Sequence, residues 1–173
     1  MSQPDDEGRH APEIDLKDFR RALGTFVTGV TVITTRRPNG ELAGLTANSF
    51  SSVSLSPPLV LWSLSLFAPS LPAFRESPHF SINILAADQM HLSQKFSRSA
   101  QNKFDGVAIR DGVGGVPLIE GAAASFTCRN EFRYYGGDHV IFLGAVLEYE
   151  YSDRPPLVFA RGRYVDIQDK DES

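Results

Sequence analysis

Seven short polar side chains lie within eleven consecutive residues, 46–56, and form the chain's clearest candidate binding surface. They are Thr46, Asn48, Ser49, Ser51, Ser52, Ser54 and Ser56. Hydroxyl and amide groups of this kind can hold a phosphate and the polar edge of a ring without a large cationic cluster. Phe50 occupies one of the alternating positions that otherwise carry Thr, Asn and Ser, and it adds the apolar surface that a flat ligand needs. The composition leaves open a plainer interpretation, a strand whose polar face is simply exposed to solvent.

Two further motifs could act on such a ligand. Lys95 lies in a predicted helix, residues 88–97, for which Asp88 is the expected N-cap. Its ammonium group could bind a phosphate, or it could be an ordinary surface lysine. In the second motif Gly136 and Gly137 predict a tight turn that precedes Asp138 and His139. His139 could donate a hydrogen bond to a carboxamide, or it could be a turn residue with no role in chemistry.

Composition excludes several classes of function. The net charge of −4 argues against nucleic-acid binding and against anchoring to an anionic membrane. The single cysteine, Cys128, excludes an internal disulfide and a cysteine-rich metal site, and it is predicted to be a small buried hydrophobic residue. No metal is expected, because the four histidines lack metal-ligand spacing. The chain has no Gly-x-Ser-x-Gly motif of a hydrolase, and the glycines of residues 112–117 precede no amphipathic helix, as a Rossmann loop would require.

The length of 173 residues predicts one domain, residues 14–167, between disordered tails at 1–13 and 168–173. No apolar run is long enough to span a bilayer, so no membrane partner is expected. The first residues are polar and acidic, unlike a secretory signal. A cytoplasmic location is the prediction.

The elements that must position these motifs are mostly strands. A helix is predicted from Asp15, with Leu16, Phe19 and Leu23 at helical spacing and an end near Gly24. Residues 38–40 predict a hairpin turn, and a second short helix is expected at 70–74. Alternating or β-branched runs predict strands at 28–35, 52–56, 59–66, 80–84, 125–132, 140–151 and 157–167. Such a count favours an antiparallel all-β barrel with helical connections.

Several motifs in order, within residues 16–167, resemble the flavin reductase family, the small NAD(P)H:flavin oxidoreductase components of two-component flavin-dependent monooxygenases. The matching segments are 19–35, 46–50, 52–54 with Pro57 and Pro58, 80–85, 94–96, 137–139, Ile141 and 144–146. Because several separate motifs occur in the right order, the resemblance is far more specific than a single glycine pattern.

The resemblance implies a mainly β fold, an FMN-binding split β-barrel of Greek-key type with a few short helices, acting as a homodimer. It implies FMN or FAD as the flavin, NADH or NADPH as the electron donor, and transient transfer of reduced flavin to a separate monooxygenase. Nicotinamide is expected near His139, the candidate catalytic residue. The implied cofactor-binding residues are Thr28, Gly29, Val30, Thr46, Ala47, Asn48, Ser49, Phe50, Ser51, Ser52, Phe80, Ser81, Lys95, Phe96, Gly137 and Asp138.

Two alternatives share the split barrel, because a fold by itself does not fix a function. One is a non-catalytic flavin or haem binding protein, which would hold its cofactor without turnover. The other is an oxidase of the pyridoxamine-phosphate type, which predicts a richer Arg/Lys phosphate cluster than this chain contains. No motif distinguishes FMN from FAD, NADH from NADPH, or one oxygenase partner from another.

Overall fold

The computed structural model describes residues 13–168, which form twelve strands and three α-helices. The predicted tails therefore lie outside the described residues, except for Glu13 and Gln168. Within residues 13–168, no helix combines the length and the apolarity needed to cross a membrane. The elements are α1 Leu16–Leu23, β1 Thr28–Gly29, β2 Thr31–Arg36, β3 Leu42–Ala47, β4 Ser51–Leu55, β5 Pro58–Ser65, α2 Leu71–Glu76, β6 His79–Ile84, α3 Met90–Ser97, β7 Ile109–Asp111, β8 Pro117–Ile119, β9 Ala124–Gly136, β10 His139–Tyr151, β11 Val158–Ala160 and β12 Arg163–Val165.

The main sheet has seven antiparallel strands in the order β3-β2-β6-β9-β10-β5-β4. Ile33 on β2 and Trp62 on β5 are four places apart in this order, yet they belong to one buried cluster. The sheet therefore curls around a common core. Its edge strands, β3 and β4, do not pair with each other, so the barrel is split along that line. This arrangement confirms the predicted mainly β, antiparallel class.

Aromatic side chains fill the interior of the barrel. Trp62 stacks on Phe142 at 4.8 Å between ring centroids and meets the edge of Phe74 at 4.9 Å. Cys128 is fully buried in the same cluster, as predicted, and burial raises the pKa of its thiol to about 12. On β5 the buried residues alternate with partly exposed ones, so the strand has one core face and one outer face rather than being buried throughout.

A polar cluster is buried beside this core, where β2, β6 and β8 meet. Asn83 donates from Nδ2 to the carbonyl oxygen of Val32 at 3.0 Å, and its Oδ1 accepts from the backbone N–H of Ile119 at 2.9 Å. Ser81 donates its hydroxyl to the carbonyl oxygen of Pro117 at 2.8 Å. Thr34 contacts the same carbonyl. Because each buried polar group has partners inside the protein, the cluster joins β8 to the barrel.

The helices follow the prediction with one correction. Asp15 caps α1, since its Oδ1 accepts from the backbone N–H of Lys17 at 2.8 Å, and the helix ends at Gly24. The helix predicted at 88–97 begins only at Met90, after a short 3-10 turn, so the prediction of Asp88 as its N-cap was wrong. The Asp88 carboxylate instead accepts a hydrogen bond of 2.5 Å from Arg154, a residue that is distant in sequence.

Candidate functional site

A cavity of about 1210 Å³ lies against β3, the edge strand at one side of the split in the barrel. It is lined by residues 41–49 around β3, 63–65 at the end of β5, 68–70 before α2, 96–105 after α3, and His139. This volume exceeds the range of about 300–1,000 Å³ common for small-molecule sites, so there is room for two ring-bearing ligands together.

The wall on the β3 side offers backbone groups. In the described part of the chain β3 pairs with β2 alone, so the N–H and C=O groups of its outer edge have no strand partner. Two side chains from the predicted binding segment are less available than expected. Thr46 donates its hydroxyl to the carbonyl oxygen of Ser93 at 2.6 Å, and Ser49 bridges to the backbone of Ser63 at 2.9 and 3.1 Å. Their hydroxyls therefore hold the wall together, while Asn48 remains exposed.

Six of the predicted site residues line this cavity. They are Thr46, Ala47, Asn48, Ser49, Phe96 and His139. They come from three separate parts of the chain, and the curled sheet brings them together. Thr46 and Ala47 end the edge strand β3, Phe96 lies on α3, and His139 begins β10 opposite Ser65 of β5.

The other predicted residues lie elsewhere in the single chain. Phe80 and Ser81 are buried in the barrel interior, and Phe80 packs against Trp62 at 5.8 Å between ring centroids. Residues 28–30 lie beside the barrel: Thr28 and Gly29 pair with β11, and Val30 packs with Val32 and Leu85 in a second buried apolar cluster, apart from the one around Trp62. Phe50 stacks on Phe126 at 5.8 Å, and Ser51 and Ser52 are exposed on β4. Gly137 and Asp138 form the turn next to His139.

The turn between β9 and β10 positions His139. Gly137 has a φ of +61°, which L-residues with side chains rarely adopt, so the predicted need for glycine is confirmed there. The Asp138 Oδ1 atom lies 2.7 Å from the His139 Nδ1 atom. The hydrogen bond from His139, with the charge of its ring, holds the pKa of the Asp138 carboxyl below its usual range. An ionised carboxylate only accepts, so the His139 Nδ1 atom carries a proton, and Nε2 is an acceptor whenever the ring is neutral.

No sequence motif pointed to the segment that follows α3. Residues 97–105 form one wall of the cavity and carry two cations, Arg98 and Lys103. The Lys103 ammonium donates to the carbonyl oxygens of Gly44 at 3.2 Å and Phe96 at 3.0 Å, and burial lowers the pKa of this group. Lys95 does not line the cavity and donates to the carbonyl oxygen of Asp105. Lys103 lies in a run of polar residues, so no sequence pattern distinguishes it from an ordinary surface lysine.

Comparisons with known proteins agree with this geometry. Residues 23–168 match the family described as the flavin reductase like domain. The chain is 46% identical over 148 residues to the FMN reductase (NADH) SmoA of Agrobacterium fabrum, covering 86% of this chain and 84% of that one. It is 36% identical to HsaB of Rhodococcus jostii, the reductase subunit of a flavin-dependent monooxygenase, over 97% of this chain and 87% of the relative. Other relatives are longer, and this chain spans about half of their length.

A solved structure gives the same result for the fold. The NADH:FAD oxidoreductase SgcE6 of Streptomyces globisporus, in complex with NAD and FAD fragments, matches with a TM-score of 0.86 and 38% identity. The match covers 91% of this chain and 96% of that one.

Proposed function

Because this chain belongs to the flavin reductase like domain family, we propose that its cavity binds a flavin and a nicotinamide together. The chain is an NAD(P)H-dependent flavin reductase, and its reaction is hydride transfer from the nicotinamide to FMN or FAD. The observation that carries the site assignment is that one cavity contains the outer edge of β3, an aromatic side chain and His139.

The residues present fit a flavin. Backbone groups on the outer edge of β3 and the exposed amide of Asn48 can pair with the polar edge of the ring system. Leu45 and Phe96 supply apolar surface to the same cavity. A bound flavin supplies the acceptor of the hydride, while the protein supplies binding, orientation and electrostatics.

We assign His139 the role of orienting the nicotinamide. In the neutral form of the ring, Nδ1–H is directed at Asp138 and Nε2 can accept from the NH₂ group of a carboxamide. This differs from the donor role expected from the sequence, because the His139 Nδ1–H already donates to Asp138. Holding the two rings in one orientation replaces a bimolecular encounter by a prepared geometry.

The test of the activity uses the purified full chain. NADH oxidation is followed by absorbance with and without added FMN or FAD, and the same assay is repeated with NADPH. We expect oxidation that depends on flavin, and the ratio of rates identifies the preferred cofactor pair. A flavin or haem carrier would instead show a tightly bound chromophore without turnover. The relatives give that alternative no support.

We also propose that the chain is a homodimer. One face of β5 and of the first part of β10 packs inside the barrel. The surplus apolar surface lies elsewhere: α1 buries none of its residues, and Leu55 on the edge strand β4 is 94% exposed. A second copy could cover both surfaces. Light scattering should give about twice the monomer mass of 19.0 kDa, and a flavin-binding monomer would contradict the proposal.

Reduced flavin is proposed to pass to a separate monooxygenase, because several relatives are reductase components of such systems. A coupled assay with a flavin-dependent oxygenase should yield oxygenated product only when this chain, NADH and flavin are all present. Product formed without this chain would remove it from that role. The cytoplasmic location also stays a prediction, which cell fractionation would test.

A further inference from the structure

Lys103 is an unusual lysine because its ammonium group is built into the cavity wall. Nζ donates to the carbonyl oxygens of Gly44 and Phe96, which uses two of its three N–H donors. Among residues 13–168, no carboxylate lies within salt-bridge distance of this nitrogen. One donor and most of a positive charge are therefore left to face the cavity.

The surrounding packing holds the ammonium group in place without a ligand. The rings of Phe96 and Phe104 meet edge to face with 5.1 Å between their centroids. A Cβ atom at Gly44 would lie 2.9 Å from Phe96 and 3.2 Å from Phe104, so only glycine lets this aromatic pair pack against β3. Lys103 directly precedes Phe104, and its position is therefore fixed by a packed aromatic pair and by an edge strand.

An ammonium group in this setting favours an anion. Burial disfavours its charged form, and neutral carbonyl groups offset only part of that cost. A phosphate oxygen at the remaining N–H would supply the opposite charge and a charge-assisted hydrogen bond. Arg98 and Ser99 also line the cavity and could donate to further phosphate oxygens.

We propose that Lys103, rather than Lys95, is the cation that binds the phosphate of the flavin. The proposal rests on the proposed function, since it assigns one part of the same cavity. Lys95 provides the natural comparison: it precedes Lys103 by eight residues, it lies outside the cavity, and its ammonium group donates to the carbonyl oxygen of Asp105.

The experiment compares two flavins that differ only by the phosphate. The wild-type chain, Lys103→Met, Lys103→Arg and the control Lys95→Met are each titrated with FMN and with riboflavin by fluorescence. We expect Lys103→Met to weaken FMN binding about ten- to a hundredfold, the scale of one charge-assisted hydrogen bond. Riboflavin binding should stay within about twofold of wild type, which also shows that the variant is folded. Lys103→Arg should keep the preference for FMN, and Lys95→Met should change neither affinity.

Each other outcome overturns the proposal in a recognisable way. Equal losses for FMN and riboflavin would make Lys103 a structural residue of the cavity wall. Unchanged FMN affinity in Lys103→Met, or a selective loss of FMN in Lys95→Met, would place the phosphate elsewhere. Equal binding of the two flavins by wild type would mean that no group recognises the phosphate, while the flavin site itself would stand. Binding of neither flavin would refute the proposed function, and this proposal with it.

Discussion

The strand β2 has two neighbours, β6 and β3. Both carry small polar side chains, but these differ in burial and in the groups they contact. On β6, Ser81 and Asn83 are completely buried and bond only to other parts of the protein. On β3 and just after it, Thr46 and Asn48 line a large cavity, where the Thr46 hydroxyl bonds to Ser93 and the Asn48 side chain is exposed. β6 is paired on both sides, with β2 and β9, whereas β3 is an edge strand. Small polar side chains are therefore enclosed by protein on a strand that is paired on both sides, whereas those at the edge strand reach the cavity.

The difference in solvent access between the barrel interior and the cavity wall can be tested by comparing the reactivity of a thiol at each place. Cys128, on β9 behind β6, is buried and has a thiol pKa of about 12. Asn48→Cys would place a second thiol on the exposed cavity wall. Since the thiolate is the reactive form, we expect the introduced thiol to react with a disulfide reagent about a thousandfold faster than Cys128 at pH 8. Comparable rates in the folded protein would show that the barrel interior is open to solvent.

A matched pair of asparagine variants should separate stability from binding. Asn83→Ala removes bonds to Val32 and Ile119 and leaves a buried N–H without a partner, so the free energy of unfolding should fall by about 2–4 kcal/mol. Asn48→Ala, at the exposed cavity wall, should change it by less than about 0.5 kcal/mol. Urea denaturation measures both values.

Flavin titration of the same pair should give the opposite order. Asn48→Ala is expected to weaken flavin binding about five- to tenfold through the loss of one hydrogen bond. Folded Asn83→Ala should bind flavin nearly as wild type does. If Asn83→Ala proved as stable as wild type and poor in flavin binding, the β6 cluster would belong to the site after all.

His139 should affect the transfer step rather than flavin binding. His139→Ala is expected to lower kcat/KM for NADH by about five- to a hundredfold, which corresponds to about 1–3 kcal/mol for one oriented hydrogen bond. Flavin affinity should stay nearly constant, because His139 lies across the cavity on β10 rather than on β3. Stopped-flow reduction of bound flavin isolates the step. A wild-type rate and wild-type NADH dependence would make His139 a turn residue only.

The smallest expected effect concerns the Asp138 carboxylate. Its pKa is lower in the folded chain than when unfolded, so the contact with His139 stabilises the fold above the usual aspartate pKa. That stabilisation is lost as the pH falls through the lowered value. Between about pH 5 and pH 3, wild type should therefore lose stability relative to Asp138→Asn. Parallel denaturation curves for the two proteins across this range would show that the contact adds nothing.

Local residue patterns were enough to predict most of the helices and strands, and the order of the motifs was enough to predict the family. Alternation and β-branched runs gave the main strands, Asp15 and Gly24 gave the limits of α1, and Gly137 gave the turn before His139. These features depend on backbone preferences within a few residues, which a single sequence displays. The ordered motifs gave the flavin reductase family, which the comparisons confirm.

Which polar residues face the cavity depends on how distant segments of the chain pair. Ser81 and Asn48 are the same kind of candidate in the sequence, but strand pairing buries one and exposes the other. Asp88 forms an ion pair with Arg154, 66 residues away, instead of capping a helix. Lys103 reaches the cavity through contacts with Gly44 of an edge strand. Each outcome depends on pairing between distant segments, and local residue preferences do not encode which strand is left at the edge.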